Sequence, residues 1–217
     1  MNIRTIFVLA VFFFGMVSAL CAHEDEVDIP LESPDGWRGE TIAIPPNFAP
    51  DMKFRGVEKI RFAPGMFNSN SETFFSYVFV FRLDEKENLA LEVIEREILV
   101  YYRGLAKAVG GEDIKTEEFT LELKKVEQEK GKKRKPAAVT ATAGILDWVE
   151  PFVTQKPQKL RLEIHTWKDD VERYSYLFCC ASPAAPDKEI WKEMREVRKQ
   201  FLKSIPADVP SESSEAP

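Results

Sequence analysis

Phe74 to Leu83, FFSYVFVFRL, is bulky, rich in aromatic and β-branched residues, and almost free of polar interruption. A strand with one face in water alternates apolar and polar residues, whereas a strand covered on both faces need not. The run therefore predicts a central strand with packing material on either side. Upstream, the loop Asn68-Ser69-Asn70-Ser71 and the pair Pro64-Gly65, suited to a type II turn, separate it from a strand over Val57 to Phe62. Thr41 to Ile44 makes a shorter strand, stopped by Pro45-Pro46.

Downstream the period changes. Asp84 and Glu87 have the spacing of a capping box, whose side chains accept from first-turn amides. Leu91, Ile94, Ile98, Tyr101 and Leu105 then recur at steps of three or four and form one apolar stripe. Gly110-Gly111 supplies the left-handed residue that ends such helices. A helix of about 25 residues and about 40 Å is predicted. Phe119, Leu121 and Leu123 alternate with Thr120, Glu122 and Lys124, the pattern of a half-exposed strand. A charged tip, Glu127 to Lys135, leads into a strand over Ala138 to Trp148.

Lys159 to Thr166 and Glu172 to Cys180 predict a hairpin across Asp169-Asp170. The register that buries both apolar rows sets Leu160, Leu162 and Ile164 against Phe178, Tyr176 and Tyr174. A last helix, Asp187 to Leu202, has Ile190, Met194, Val197 and Phe201 as its stripe and Trp191 alongside. The order β-β-β-α-β-β-β-β-α predicts an α+β fold: a mainly antiparallel sheet covered by a long central helix, with the C-terminal helix packed beside it.

With 217 residues and 44% hydrophobic content, the chain has material for one core. Residues 37–205 are read as that single domain. Residues 23–36 are read as a flexible acidic leader, and 206–217 as a disordered tail. A net charge of −6 opposes a nucleic-acid partner, whose binder would be basic. Residues 1–22 read as a signal peptide: Arg4 is the positive region, Ile6 to Phe14 the apolar region, and Ser18, Ala19 and Ala22 offer cleavage points. An uncleaved anchor and a lipoprotein modified at Cys21 are the alternatives; bulky Leu20 opposes the second. No later segment is long and apolar enough to span a bilayer, so the expected location is secreted or periplasmic, with no membrane span after cleavage. Cys179 and Cys180, as neighbours on a strand, point to opposite faces; one is expected buried and the other less so, with an intermolecular disulfide as the alternative.

FAPGMF at 62–67 and SPAAPDKEIWKEMREVRKQF at 182–201 resemble an uncharacterised family of secreted bacterial proteins. The element order is similar to compact αβα domains of the PsbP kind. Neither resemblance implies an activity or a catalytic residue.

Few groups suggest chemistry. Glu163, His165 and Trp167 share one strand face and are the candidate ligand contacts; a Glu-His pair can serve acid–base work, so a hydrolase using carboxylates and His165 is the enzymatic alternative. The bland alternative is an exposed face of ordinary polar residues. Of the four tryptophans, Trp191 reads as packing, and Trp167 is the candidate for an aromatic contact, against a core or rim position. Lys130, Lys132, Lys133, Arg134 and Lys135 are the candidate polyanion contacts, against a solvated hairpin tip. Cleavage after Ala22 would give His23 a free amine which, with its imidazole and His165, could take copper. No other metal pattern, nucleotide cradle or nucleophile elbow is present, and no cofactor is expected. The leading expectation is a secreted or periplasmic non-catalytic binding or accessory domain, with an extracytoplasmic protein or glycan as partner.

Overall fold

The computed structural model describes residues 29–84, 87–127, 139–169 and 173–205. Strands β1 (Arg38–Ile44), β2 (Gly56–Phe62) and β3 (Tyr77–Asp84) precede helix α1 (Leu91–Gly110) and a single 3-10 turn, Thr116–Glu118. Strands β4 (Thr120–Lys125), β5 (Thr140–Val149), β6 (Pro157–Asp169) and β7 (Tyr174–Ser182) follow, and helix α2 (Glu189–Ser204) comes last. The element order is the one the periodicities predict. All seven strands lie in one antiparallel sheet of order β1-β2-β3-β7-β6-β5-β4. Chain neighbours pair everywhere except at the β3–β7 seam, where Val80 faces Phe178.

The Phe-rich strand explains the layering. Tyr77, Phe79, Phe81 and Leu83 point to one face, where Ile94, Ile98, Tyr101 and Tyr102 of α1 cover them. Val78 and Val80 point to the other, where they join Phe178 and Cys180 under Ile190, Trp191, Met194, Val197 and Phe201 of α2. The two helices thus sit on opposite faces, not side by side. Had both been on the α1 face, the Val78–Phe178 row would have lain in water. Ile29, Leu31 and Trp37 fill the α2 face beside the helix, so part of the expected leader, Ile29 and Leu31, belongs to the core. Lys59 and Arg61 of β2 donate to the Ile29 and Leu31 carbonyls at 2.8 and 2.6 Å, which fixes that segment.

Four local expectations are corrected. Asp84 closes β3, and α1 starts at Leu91 behind Ala90 without a side-chain cap, so its 20 residues span about 30 Å. Its buried stripe includes Glu97, Tyr102 and Ala106, while Leu91 and Leu105 pack only at its margin. Phe74 and Phe75 belong to the loop before β3. The β6–β7 register pairs Leu162 with Ala181, Ile164 with Cys179 and Trp167 with Tyr176. Matching apolar rows misplaces this register because β7 is buried on both faces, so either row of it satisfies a buried partner.

Both sheet margins raise the problem of unpaired backbone. At β4 the answer comes from α1. The Leu123 amide donates to Glu95 Oε2 at 3.0 Å, and Arg103 Nη2 donates to the carbonyls of Phe119 and Glu117 at 3.0 and 3.3 Å. The Glu95→Ala/Arg103→Ala double variant should therefore leave the fold intact and expose a strand template. Light scattering should show concentration-dependent association that the parent lacks; equal masses across the dilution series would refute this role.

Candidate ligand groove

An open groove of about 710 Å³ lies at the end of the sheet where α1 finishes. Its walls are the α1–β4 connection (Asp113, Ile114, Lys115, Glu118) and the ends of β5 and β6 (Asp147, Trp148, Gln158, Lys159). Gly110 permits this arrangement, since a Cβ there would strike Ile114 and crowd Pro151. Trp148 and Phe119 form the base with their rings buried, and Trp148 Nε1 donates to Gln158 Oε1 at 3.1 Å. Lys159 pairs with Asp147 at 2.7 Å and Lys115 with Glu118 at 3.5 Å. Both pairs are exposed and contribute little to stability, so a ligand can exchange them for its own contacts at low cost.

An apolar cluster stands at the same end of the sheet. Phe67 is 38% exposed and Val153 40%, and the Phe67 ring lies 5.6 Å from that of Phe152. Phe75 supports them, 5.8 Å from Phe152 and 5.2 Å from Trp148. The turn carrying Phe152 and Val153 is organised by Glu150. This fully buried carboxylate accepts from the amides of Phe152, Val153 and Thr154 at 2.5, 3.0 and 2.6 Å, and from the Thr154 hydroxyl at 2.8 Å. The sequence reading passed over Glu150. Its signal is an acid just ahead of Pro151 at the start of a short turn, the arrangement in which a carboxylate caps following amides.

Backbone strain collects here too. Phe75 and Gln155 have φ of 49° and 50°, an uncommon conformation for residues with a Cβ; Gln155 is in the groove wall and Phe75 packs on its base. Such residues concentrate at functional sites, because the surrounding structure must hold them in place.

The sequence candidates lie elsewhere. Glu163, His165 and Trp167 do share a face of β6, beneath α2 and away from the groove. Trp167 is 2% exposed, stacked on Tyr176 at 5.3 Å and packed on Phe201: it takes the core position and offers no exposed ring. His165, expected on an open polar face, is 8% exposed, opposite Ala141 and Phe178. Glu163 accepts from Arg195 Nη2 at 2.6 Å and Arg198 Nη1 at 3.2 Å, which fastens α2 to the sheet. Cys179 and Cys180 do point to opposite cores, but both are fully buried. Burial pushes the Cys180 thiol up to about 12 against the opposing pull of Arg198, and raises Cys179 well above its ordinary value. Both are therefore poor nucleophiles. Lys130, Lys132, Lys133, Arg134, Lys135 and His23 lie outside the described residues, as do residues 1–28 and 206–217. Among the described residues, no group of three or more His, Cys, Asp or Glu side chains is placed to hold a metal ion, and no helix is long and apolar enough to cross a membrane.

The clamp on Glu163 has a pH signature. Burial alone would raise its pKa, but the hydrogen bond from Arg195 and the charges of Arg198 and Arg195 outweigh it and hold the carboxyl below its ordinary 4.5. A depressed carboxyl stabilises the fold above its unfolded pKa, and that contribution is lost as pH falls through the folded one. Glu163→Gln should therefore cost about 1–2 kcal/mol at pH 7 and flatten the decline in melting temperature below pH 4.5. A parallel acid limb in variant and parent would contradict the assignment.

The fold so defined is an α+β sandwich: a seven-stranded antiparallel sheet with a helix on each face. Comparisons with protein-family models, with curated proteins and with solved structures give no match.

Proposed function

We propose that this chain is a secreted or periplasmic binding module without bond-making chemistry, and that the groove with its Phe67–Val153 cluster receives a segment of a partner protein. The observation that carries this reading is the meeting, at one end of the sheet, of an open groove with polar and apolar lining, exposed apolar side chains and two residues of positive φ. Walls of mixed character beside an apolar cluster suit a polypeptide, which brings backbone amides and side chains of both kinds. A glycan is the less favoured partner, since the groove's aromatic rings, Trp148 and Phe119, are buried and cannot stack on a sugar face. In this reading α1 is the long central cover of the sheet, a rigid support for loops that do the binding. The signal-like residues 1–22 and the resemblance to secreted bacterial proteins support the address.

The test is selection of displayed random peptides on the folded protein, with amide chemical shifts used to locate the bound peptide. Selected peptides should perturb Asp113, Gln155 and Gln158 and lose at least about tenfold in affinity on Phe67→Ser/Val153→Ser. Peptides that perturb only the α2 face, or a selection that enriches none, would overturn the proposal. An oligosaccharide array bound with the same dependence on the groove would reassign the site to glycan.

A further inference from the structure

Glu58 stands apart from the other buried carboxylates. Glu97 and Glu150 are each held by two or more backbone amides, but Glu58, at 0% exposure, has a single partner among the described residues. Tyr101 of α1 donates to its Oε1 at 3.3 Å, and Oε2 has no hydrogen bond. The ionisable groups that influence it are all neutral or negative when they titrate: Glu40 of β1, Tyr77 of β3, Tyr101 of α1 and Cys179 of β7. The neighbouring cations of β2, Lys59 and Arg61, point to the opposite face and are used on the Ile29 and Leu31 carbonyls. A carboxylate enclosed without a cation is costly, so the closed seam must keep Glu58 protonated.

We propose that Glu58, with Glu40 and Tyr101, forms a proton-operated latch that holds the β1–β2 ribbon against α1, and that rising pH loosens this ribbon. Burial, opposed by the Tyr101 hydrogen bond and reinforced by Glu40, raises the Glu58 carboxyl to about 8. Once the ribbon lifts, water returns the group to its ordinary value of 4.5. The closed form therefore binds one more proton than the open form between these values. Its advantage is complete below the lower value, shrinks as pH rises, and is gone above the higher one. β1 is the sheet margin, paired by β2 alone, and Tyr101 also packs on Phe48 of the β1–β2 connection at 5.0 Å, so the Glu58–Tyr101 contact lies where α1 meets this ribbon.

Native-state amide exchange tests the latch, read as opening constants corrected for intrinsic exchange. In the parent, amides of β1 and β2 should open more often than those of β6 and β7, and their opening constants should rise about tenfold per pH unit from pH 5 to pH 8, then level. Glu58→Gln should abolish that slope. A slope that persists in the variant, or β1–β2 amides that exchange only together with the central strands, would overturn the proposal. Should the variant not fold, the carboxyl carbon shift of Glu58 in the parent decides: titration near pH 8 supports the latch, and titration at 4 to 5 refutes it.

Discussion

Glu97→Ala is expected to cost about 2–4 kcal/mol and to lower the urea midpoint without changing the slope of the transition. The Glu97 side chain is buried inside the α1 stripe, a position that apolar periodicity would assign to a leucine. Its Oε2 accepts from the Lys53 and Phe54 amides at 2.6 and 3.2 Å, and its Oε1 from Arg96 Nε and Nη2 at 2.9 and 2.7 Å. Truncation leaves the Phe54 amide without its acceptor in a fully buried place, and it removes the tie between α1 and the chain entering β2. Glu97→Gln keeps an acceptor but gives up the charge, so its loss should be clearly smaller. If glutamine and alanine were equally disruptive, the carboxylate's charge, and not side-chain shape or a neutral acceptor, would be the property that matters.

Trp191→Ala should cost about 3–5 kcal/mol and should also unseat α2. The indole is among the largest fully buried side chains, its Nε1 donates to the Ala184 carbonyl at 2.9 Å, and Arg195 lies 5.4 Å over its ring. Cys180 gives an independent readout. In the parent it is sealed beneath α2, with its thiol 3.6 Å from the Met194 carbonyl, and a thiol reagent should reach it only on global unfolding. In the variant, labelling of Cys180 should run well ahead of unfolding followed by far-ultraviolet circular dichroism. Equal rates would mean that α2 stays docked without its anchor.

The sequence made legible whatever rests on local periodicity. Within the FFSYVFVFRL run, Tyr77 to Phe81 form a strand buried on both faces, and Ile190, Met194, Val197 and Phe201 form the inner side of α2, each as the spacing requires. Illegible were the relations between distant segments. Nothing in the α2 stripe says which face it covers, because Val78, Val80 and Phe178 that receive it are as apolar as the row facing α1. The buried acids were hidden for a related reason. Glu97 and Glu150 look like surface residues until the amides of residues 53–54 and 152–154 are brought to them in space. The groove is assembled from residues 110–119 and 147–159, none of which carries a motif, so single-chain pattern reading had nothing to recognise. For Trp167 the pattern left a core or rim position and an exposed contact open, because its exposure depends on Phe201, a residue far along the chain; it takes the core position.

The seam between β3 and β7 bears on how this molecule comes into being. The leaf made of β1, β2 and β3 can zip as the polypeptide is delivered, and so can the leaf made of β4, β5 and β6, since the pairs inside each leaf join strands adjacent along the chain. Neither leaf can dock on the other before β7 arrives, so two naked borders persist until nearly the whole polypeptide has been delivered. That interval is when the nascent protein is most open to stray partners, and when an escort that shields bare strands would do it the most good.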